Sequence, residues 1–447
     1  MSVLVNKSVS RTLFSMAFPM LAGTFAMNAY NLTDTWFVSR LGTLSLAAMG
    51  FTFPVVMLLT CVARGIGSGV TTLTSHAIGS NDRERAVRLV THGVMLTFAV
   101  TAVMSIGGYL SIGPVFRRLG ADSTTLPLIG DYMRTWFTGA LFMTLPMAGS
   151  GVLISMGDSK AASMLMIAGT LLNTILDPIM IFGFLGCPAM GIRGAALATI
   201  ISQGVSTIWL LYLLYRRHRL LAWRSWKFAD YGASLRQIMQ YAIPSVLSMI
   251  LMPVSASVIT RLLSHFGNGA VAAAGAASRV EMVAFIIPMA LGISLTPFVS
   301  QNVGAARLDR VRQAKSLSVG FALGYGGFST AVFFVGAPWF ARLFTSDPEV
   351  ARMFIAYTRI VSFGYGMMEV HRYCGFFLTG LRKPLSATAL NAIRVLVLLI
   401  PLSWLGSHVW GLEGVFWGRL ATDFTVGAIG LLWLSRAFRS VQQDSEA

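Results

Sequence analysis

The sequence predicts an all-α integral membrane protein with twelve transmembrane helices in two pseudo-symmetric six-helix lobes around a central cleft. Three observations carry that prediction. Of the 447 residues 55% are hydrophobic and only 11% charged, with a mean hydropathy of +0.69, whereas soluble domains carry roughly a quarter charged residues. Apolar runs bounded by charge or by Gly/Pro clusters lie near 12–38, 46–78, 88–112, 127–155, 162–186, 193–216, 237–264, 271–303, 314–344, 353–380, 386–408 and 412–436, which is the number of crossings this length allows at roughly 20 residues each. The chain also matches itself at a spacing of 225 residues.

Each element follows from local pattern. The polar Met1 to Arg11 stretch leads into an apolar segment too long for the core of a cleavable signal, so that segment reads as the first span. Several runs exceed the length of a straight crossing, and those helices are expected to tilt or project beyond the hydrocarbon. The loops after even-numbered spans carry Arg83, Arg85 and Arg88, then Lys160, then Arg216, Arg217, Arg219, Arg224 and Lys227, then Arg307, Arg310, Arg312 and Lys315, then Arg382 and Lys383. The other loops are poorer, with Arg40, Arg117, Arg118 and Arg342. This bias places the basic loops and both termini in the cytoplasm, and the chain in the inner (plasma) membrane.

The net charge of +17 is spread between apolar stretches rather than along one face. It therefore suits anionic lipid headgroups and gives no reason to expect a nucleic-acid partner. Cys61, Cys187 and Cys374 are far apart and lack the spacing of a disulfide framework or a metal site.

The repeat is the most informative feature. Ala17 and Pro19 match Ala242 and Pro244; Ser39 and Gly42 match Ser264 and Gly267; Met57, Gly67, Thr71, Ser75 and Gly79 match Met282, Gly292, Thr296, Ser300 and Gly304. The register holds to Tyr132, Arg134 and Gly139 against Tyr357, Arg359 and Gly364, then slips, so that Gly191 and Gly194 answer Gly411 and Gly414 at a spacing of 220. Six spans separate the halves, so both cross the membrane in the same sense. The expected organisation is a lobe over 1–216, a basic cytoplasmic connector over 217–236 and a second lobe over 237–447.

A charge inside a bilayer costs a few kcal/mol or more, so each intramembrane ionisable residue is a candidate for function. Asp34 lies in the first span, within Tyr30-Asn31-Leu32-Thr33-Asp34, and its repeat partner at 259 is Ile. Asp177 follows Asn173 by four residues in the fifth span, which puts both on one helix face, and Pro178 frees backbone carbonyls there. One amide and two carboxylates can thus converge. A carboxylate kept from water can carry a proton, while two acids with an Asn can hold a sodium ion; two carboxylates suffice for protons, which is the preferred reading. The structural alternatives are that Asp34 caps a helix break and that Asp177-Pro178 ends the fifth span. In the second half, Glu369 either pairs with Arg394 or faces the cleft to meet a cationic substrate, His371 shares its stretch, and Glu281 reads as a local surface pair with Arg279. Arg64 lies in the second span. Methionines such as Met249, Met252, Met367 and Met368 suit an adaptable cavity. With Tyr30 and Asn31, the residues Met252, Met368 and Glu369 are the candidates for lining the substrate cleft.

Taken together, the Pro19 and Pro244 helix starts, the Gly67-Ser68-Gly69 to Gly79 stretch with its partner Gly292 to Gly304, and Gly191-Ile192-Arg193-Gly194-Ala195-Ala196 resemble the multidrug and toxic compound extrusion (MATE) family over nearly the whole length. The resemblance implies a V-shaped cleft and export of organic cations and drug-like amphiphiles in exchange for protons or sodium. It implies a first-lobe coupling site at Asp34, Asn173 and Asp177, with Thr199 as the sixth-helix contributor. Another branch of the family places an acid in the seventh helix, whereas Ser245 to Val258 has none. A monomeric secondary transporter is therefore expected, not an enzyme, with no cofactor and no metal beyond a sodium ion at Asp34, Asn173 and Asp177. The alternative is a lipid-linked oligosaccharide flippase of the same two-lobe plan.

Overall fold

A computed structural model describes residues 3–222 and 228–446; Arg224 and Lys227 of the basic connector lie outside them. Among the described residues all regular structure is helical, as backbone in hydrocarbon requires, since only a helix satisfies its own N–H and C=O groups within one segment. The first six spans are α2 (Val9–Ser39), α3 (Thr43–Gly79), α4 (Arg83–Arg118), α5 (Thr125–Ser155), α6 (Ser159–Phe182) and α7 (Ile192–Tyr212), preceded by the short α1 (Val3–Asn6). The second six are α8 (Phe228–Ser264), the broken pair α9 (Asn268–Ala284) and α10 (Ile286–Gly304), α11 (Leu308–Phe344), the broken pair α12 (Pro348–Ser362) and α13 (Tyr365–Gly380), then α14 (Pro384–Ala392) running into α15 (Ile400–Glu446). Non-helical backbone at Trp410 and Gly411 divides α15 into two spans. Nine helical segments among the described residues are long and apolar enough to cross a membrane.

The chain forms two compact units, one built on Phe18–Val246, the other on Leu247–Ala447 with Leu4–Ala17. In the first, α5 is the central helix, packed against α3, α4 and α7. Its buried Ile129, Tyr132, Met133, Trp136 and Phe137 meet Leu59, Ile112, Phe116 and Ile192. In the second, α12 and α13 take that place: α13 packs on α10, α11 and α15, and Phe354, Tyr357, Val361 and Tyr365 are buried with Phe333 and Phe416. Where α3 and α5 run unbroken, their counterparts stop at Phe285 and Phe363. Hydroxyls of neighbouring helices bond to carbonyls at and beside these breaks. Tyr325 Oη donates to Ala284 O at 2.8 Å, Tyr373 Oη to Pro288 O at 2.9 Å and Thr330 Oγ1 to Ser362 O at 2.7 Å.

Short loops are fixed by aspartate caps, whose carboxylates accept from the free N–H groups of a helix start. Asp82 accepts from Arg85 N, Asp158 from Ala161 N and Asp347 from Glu349 N. The Thr125 hydroxyl, with the Thr125 N–H and the Thr124 hydroxyl, holds the Asp122 carboxyl at about 2, well below the usual carboxylate range. Asp158 also anchors the start of the connector: Arg217 and His218 lie 3.2 and 3.1 Å from its Oδ2, and Arg83 Nη2 donates to His218 O. Burial pulls the His218 pKa down despite that carboxylate. Beyond residues 223–227 the chain is helical from Phe228, before the expected connector ends.

The glycine pairs of the shifted repeat register have one conformational role. Gly191 has φ 55° and ψ −135°, and Gly411 has φ 62° and ψ −139°, a region that side chains disfavour. Each glycine turns the chain so that a span doubles back: Met190 N and Gly191 N donate to Met180 O and Ile181 O at 3.0 and 3.1 Å. A Cβ at Gly194 would strike the Met180 carbonyl, and one at Gly414 the Gly406 carbonyl. Replacing Gly411 by Ala should cost on the order of 1–3 kcal/mol of strain, seen as a lower melting temperature of the purified protein. Gly275→Ala, at a helical site with nothing within 4 Å of the new Cβ, should leave that temperature unchanged.

Candidate functional site

The tight turn between α6 and α7 brings together residues from two parts of the first unit. Asn173 and Asp177 are fully buried on α6, one turn apart, and Thr199 of α7 is 3% exposed. Asn173 Nδ2 donates to Asp177 Oδ1 at 3.2 Å and to Thr199 Oγ1 at 3.4 Å. Tyr30 of α2 donates its hydroxyl to Thr199 Oγ1 at 3.0 Å. Asp34, one turn further along α2, is 6% exposed and close enough to Asp177 and Tyr30 to act on both electrostatically. Neither helix ends at its acid, since α2 continues to Ser39 and α6 passes through Pro178 to Phe182. The end-of-span alternatives for both aspartates are thereby replaced by two buried carboxylates inside continuous helices.

Three oxygens in this cluster lack a hydrogen-bond partner among the described residues: Asp34 Oδ1, Asn173 Oδ1 and Asp177 Oδ2. No Lys or Arg among the described residues forms an ion pair with either aspartate. Buried carboxylates without a basic partner must be met by protons or by a small cation, and unpartnered oxygens from Asp34, Asn173 and Asp177 are the donor set a hard cation prefers. Tyr132 on α5, 6% exposed and within electrostatic reach of Asp34, Tyr30 and Asp177, belongs to the same polar centre. In the sequence its one signal is the repeat match to Tyr357.

The remaining candidates lie elsewhere. Asn31 is exposed, its Nδ2 bonded to Met27 O at 3.2 Å. Met252, 73% exposed, half-buried Met368 and buried Glu369 belong to the second unit. Glu369 pairs with Arg372 at 3.0 Å, one turn away on α13, and not with Arg394. Arg394 is taken instead by Asp423 of α15, at 3.3 Å. Glu281 is 5% exposed rather than superficial, and it holds Arg419, not Arg279. Arg419 Nη1 donates to Glu281 Oε2 at 3.1 Å and also bonds Tyr357 Oη, while Asp423 Oδ2 stands 3.9 Å from its Nε. Two of these corrections share a cause: Arg419 and Asp423 sit one turn apart inside an apolar span and supply the partners of Glu281 and Arg394.

Comparison with known proteins agrees with this architecture. The family model described as MatE matches residues 19–179 and 244–405, one block in each half. The chain is 36% identical over 428 residues to the FAD transporter of Shewanella oneidensis, covering 95% of this chain and 94% of that one. It is 24% identical over 421 residues to the multidrug export protein MepA of Staphylococcus aureus, covering 93% and 91%. The crystal structure of the Vibrio cholerae MATE transporter VcmN in its bent form superposes with a TM-score of 0.93 at 31% identity, over 97% of this chain and 98% of that one. With both halves matched and relatives aligned nearly end to end, the chain belongs to the multidrug and toxic compound extrusion (MATE) family of membrane transporters.

Proposed function

We propose that this transporter is a cation-coupled antiporter of the inner (plasma) membrane, exporting organic cations and drug-like amphiphiles by alternating access. The residues 1–216 and 237–447 act as its two lobes, 217–236 is the cytoplasmic connector, both termini are cytoplasmic, and the monomer is the working unit. Asp34, Asn173, Asp177 and Thr199 form the coupling site. One observation carries this reading: two buried carboxylates with free oxygens stand beside an amide and a hydroxyl and have no basic partner among the described residues. A cation arriving from outside favours one arrangement of the first unit and substrate favours the other, so each drives release of the other. Protons are the preferred ion, since two carboxylates accept them without further ligands.

A second substrate reading has its own support, because the relative at 36% identity is named an FAD transporter. The flippase alternative is not favoured, since the family match is MatE, one relative is named a multidrug export protein and the solved neighbour a MATE transporter.

Everted membrane vesicles test the coupling. A pH gradient in sodium-free buffer should drive accumulation of a cationic dye, and a sodium gradient at clamped pH should not. Accumulation under sodium alone would reassign the ion. Accumulation under neither gradient would end the antiport reading.

A further inference from the structure

Three arginines of the second unit that lie inside spans, Arg372, Arg394 and Arg419, rest against carboxylates. Arg64, in α3 of the first unit, does not. Its Nη2 lies 3.6 Å from the thioether sulfur of Met27 on α2, and its Nε is buried with no hydrogen-bond partner among the described residues. No carboxylate among the described residues forms an ion pair with it. A guanidinium in an apolar span is costly unless something anionic completes it. Its planar fork suits a phosphate, which it can grip with two parallel hydrogen bonds.

The position along α2 gives this arginine a context. Met27, Tyr30, Asn31 and Asp34 follow at helical spacing on one face of that helix. Met27 touches Arg64, Asn31 bonds to Met27 O, and Tyr30 reaches Thr199 of the coupling cluster. The seven residues from Met27 to Asp34 span about 10 Å of helix rise. The point where Arg64 of α3 touches α2 and the cation site on α2 therefore lie about two turns apart along one face of that helix.

We propose that Arg64 is the phosphate anchor of a substrate site in the first unit, and that this site takes phosphorylated flavin nucleotides in addition to organic cations. The proposal rests on the export reading above. It is carried by the unpaired guanidinium and agrees in chemistry with the name of the 36% identical relative.

Everted vesicles holding the full-length protein decide it, with FAD, riboflavin and a cationic dye as the three probes. Wild-type protein should accumulate FAD in preference to riboflavin, which has the same ring system without phosphate. Arg64→Gln should raise the KM for FAD about tenfold or more, the scale of a lost charge-assisted hydrogen bond, and leave dye transport within about twofold. If that variant fails to reach the membrane, Arg64→Lys decides instead, since it keeps the charge and loses the fork: its FAD KM should rise with dye transport unchanged. An unaltered FAD KM in the substituted protein overturns the proposal, as does an equal loss of dye and FAD transport. Wild-type protein that moves dye but not FAD overturns the proposal and leaves the export reading standing; protein that moves neither overturns both.

Discussion

Asp34→Asn should uncouple export. The substitution keeps the size and one acceptor oxygen but removes the charge that a proton or cation must meet. Gradient-driven dye accumulation in everted vesicles should fall by roughly 5- to 150-fold, the range spanned by a coupling free energy of 1–3 kcal/mol. Energy-independent binding of the dye to the purified protein should remain, because the substitution leaves the aromatic and apolar surroundings intact. Asp177→Asn should behave in the same way, since its Oδ2 is as unpartnered as Asp34 Oδ1. Asn173→Ala should act more mildly, as it removes the amide that holds Asp177 and Thr199 in place and leaves both carboxylates. Wild-type accumulation by the Asp34→Asn protein would remove the basis for placing coupling in the first unit.

The second large effect belongs to stability. Arg419 touches Glu281, Tyr357 and Asp423 at once, so Arg419→Ala leaves the buried Glu281 without its cation, while Asp423 keeps only Arg394. Removing one member of a buried charge network costs about 3–5 kcal/mol, much of it the desolvated charge left behind. The purified variant should melt well below wild type or fail to accumulate in the membrane. Replacing the lost partner as well, in Arg419→Met combined with Glu281→Gln, should recover much of the loss, because Asp423 remains paired with Arg394 and no uncompensated charge is left. A melting temperature unchanged by Arg419→Ala would show that water reaches the cluster and that the network does not hold the second unit together.

The spans were legible because a membrane leaves so few ways to arrange a chain: apolar runs of the right length are helices, and the repeat fixes their pairing. The proposed coupling cluster was legible in part for the same reason. Asp34 and Asp177 stand out against apolar neighbours, and the spacing of Asn173 from Asp177 needs only helix geometry. Thr199 was supplied by family resemblance, and only the folded α6–α7 turn shows it within reach of Asn173 and Tyr30. The second unit is less legible because spacing along the chain does not say which acid meets which arginine: Glu281 finds its partner across helices and Glu369 on its own. The signal was nevertheless present. Tyr132 and Tyr357 match in the repeat, and each marks the polar centre of its own half. In the shifted register set by Gly191 and Gly411, Thr199 falls opposite Arg419. At that one position a hydroxyl in the first half is exchanged for a guanidinium in the second, and the buried acids nearby are paired with arginines in one half and lack a basic partner among the described residues in the other.

That difference has an electrical consequence. Glu281, Glu369 and Asp423 offset Arg372, Arg394 and Arg419, so these six side chains of the second unit present no net charge for the transmembrane voltage to pull on. The aspartates of the first unit are not offset in this way, and in the proposed exchange their charge changes as they load or release a cation. Each elementary charge carried across the full field is worth about 2.3 kcal/mol per 100 mV. Under the proposed exchange, the voltage therefore acts on the protein's own buried acids through the occupancy of Asp34 and Asp177, alongside whatever charge the substrate itself carries.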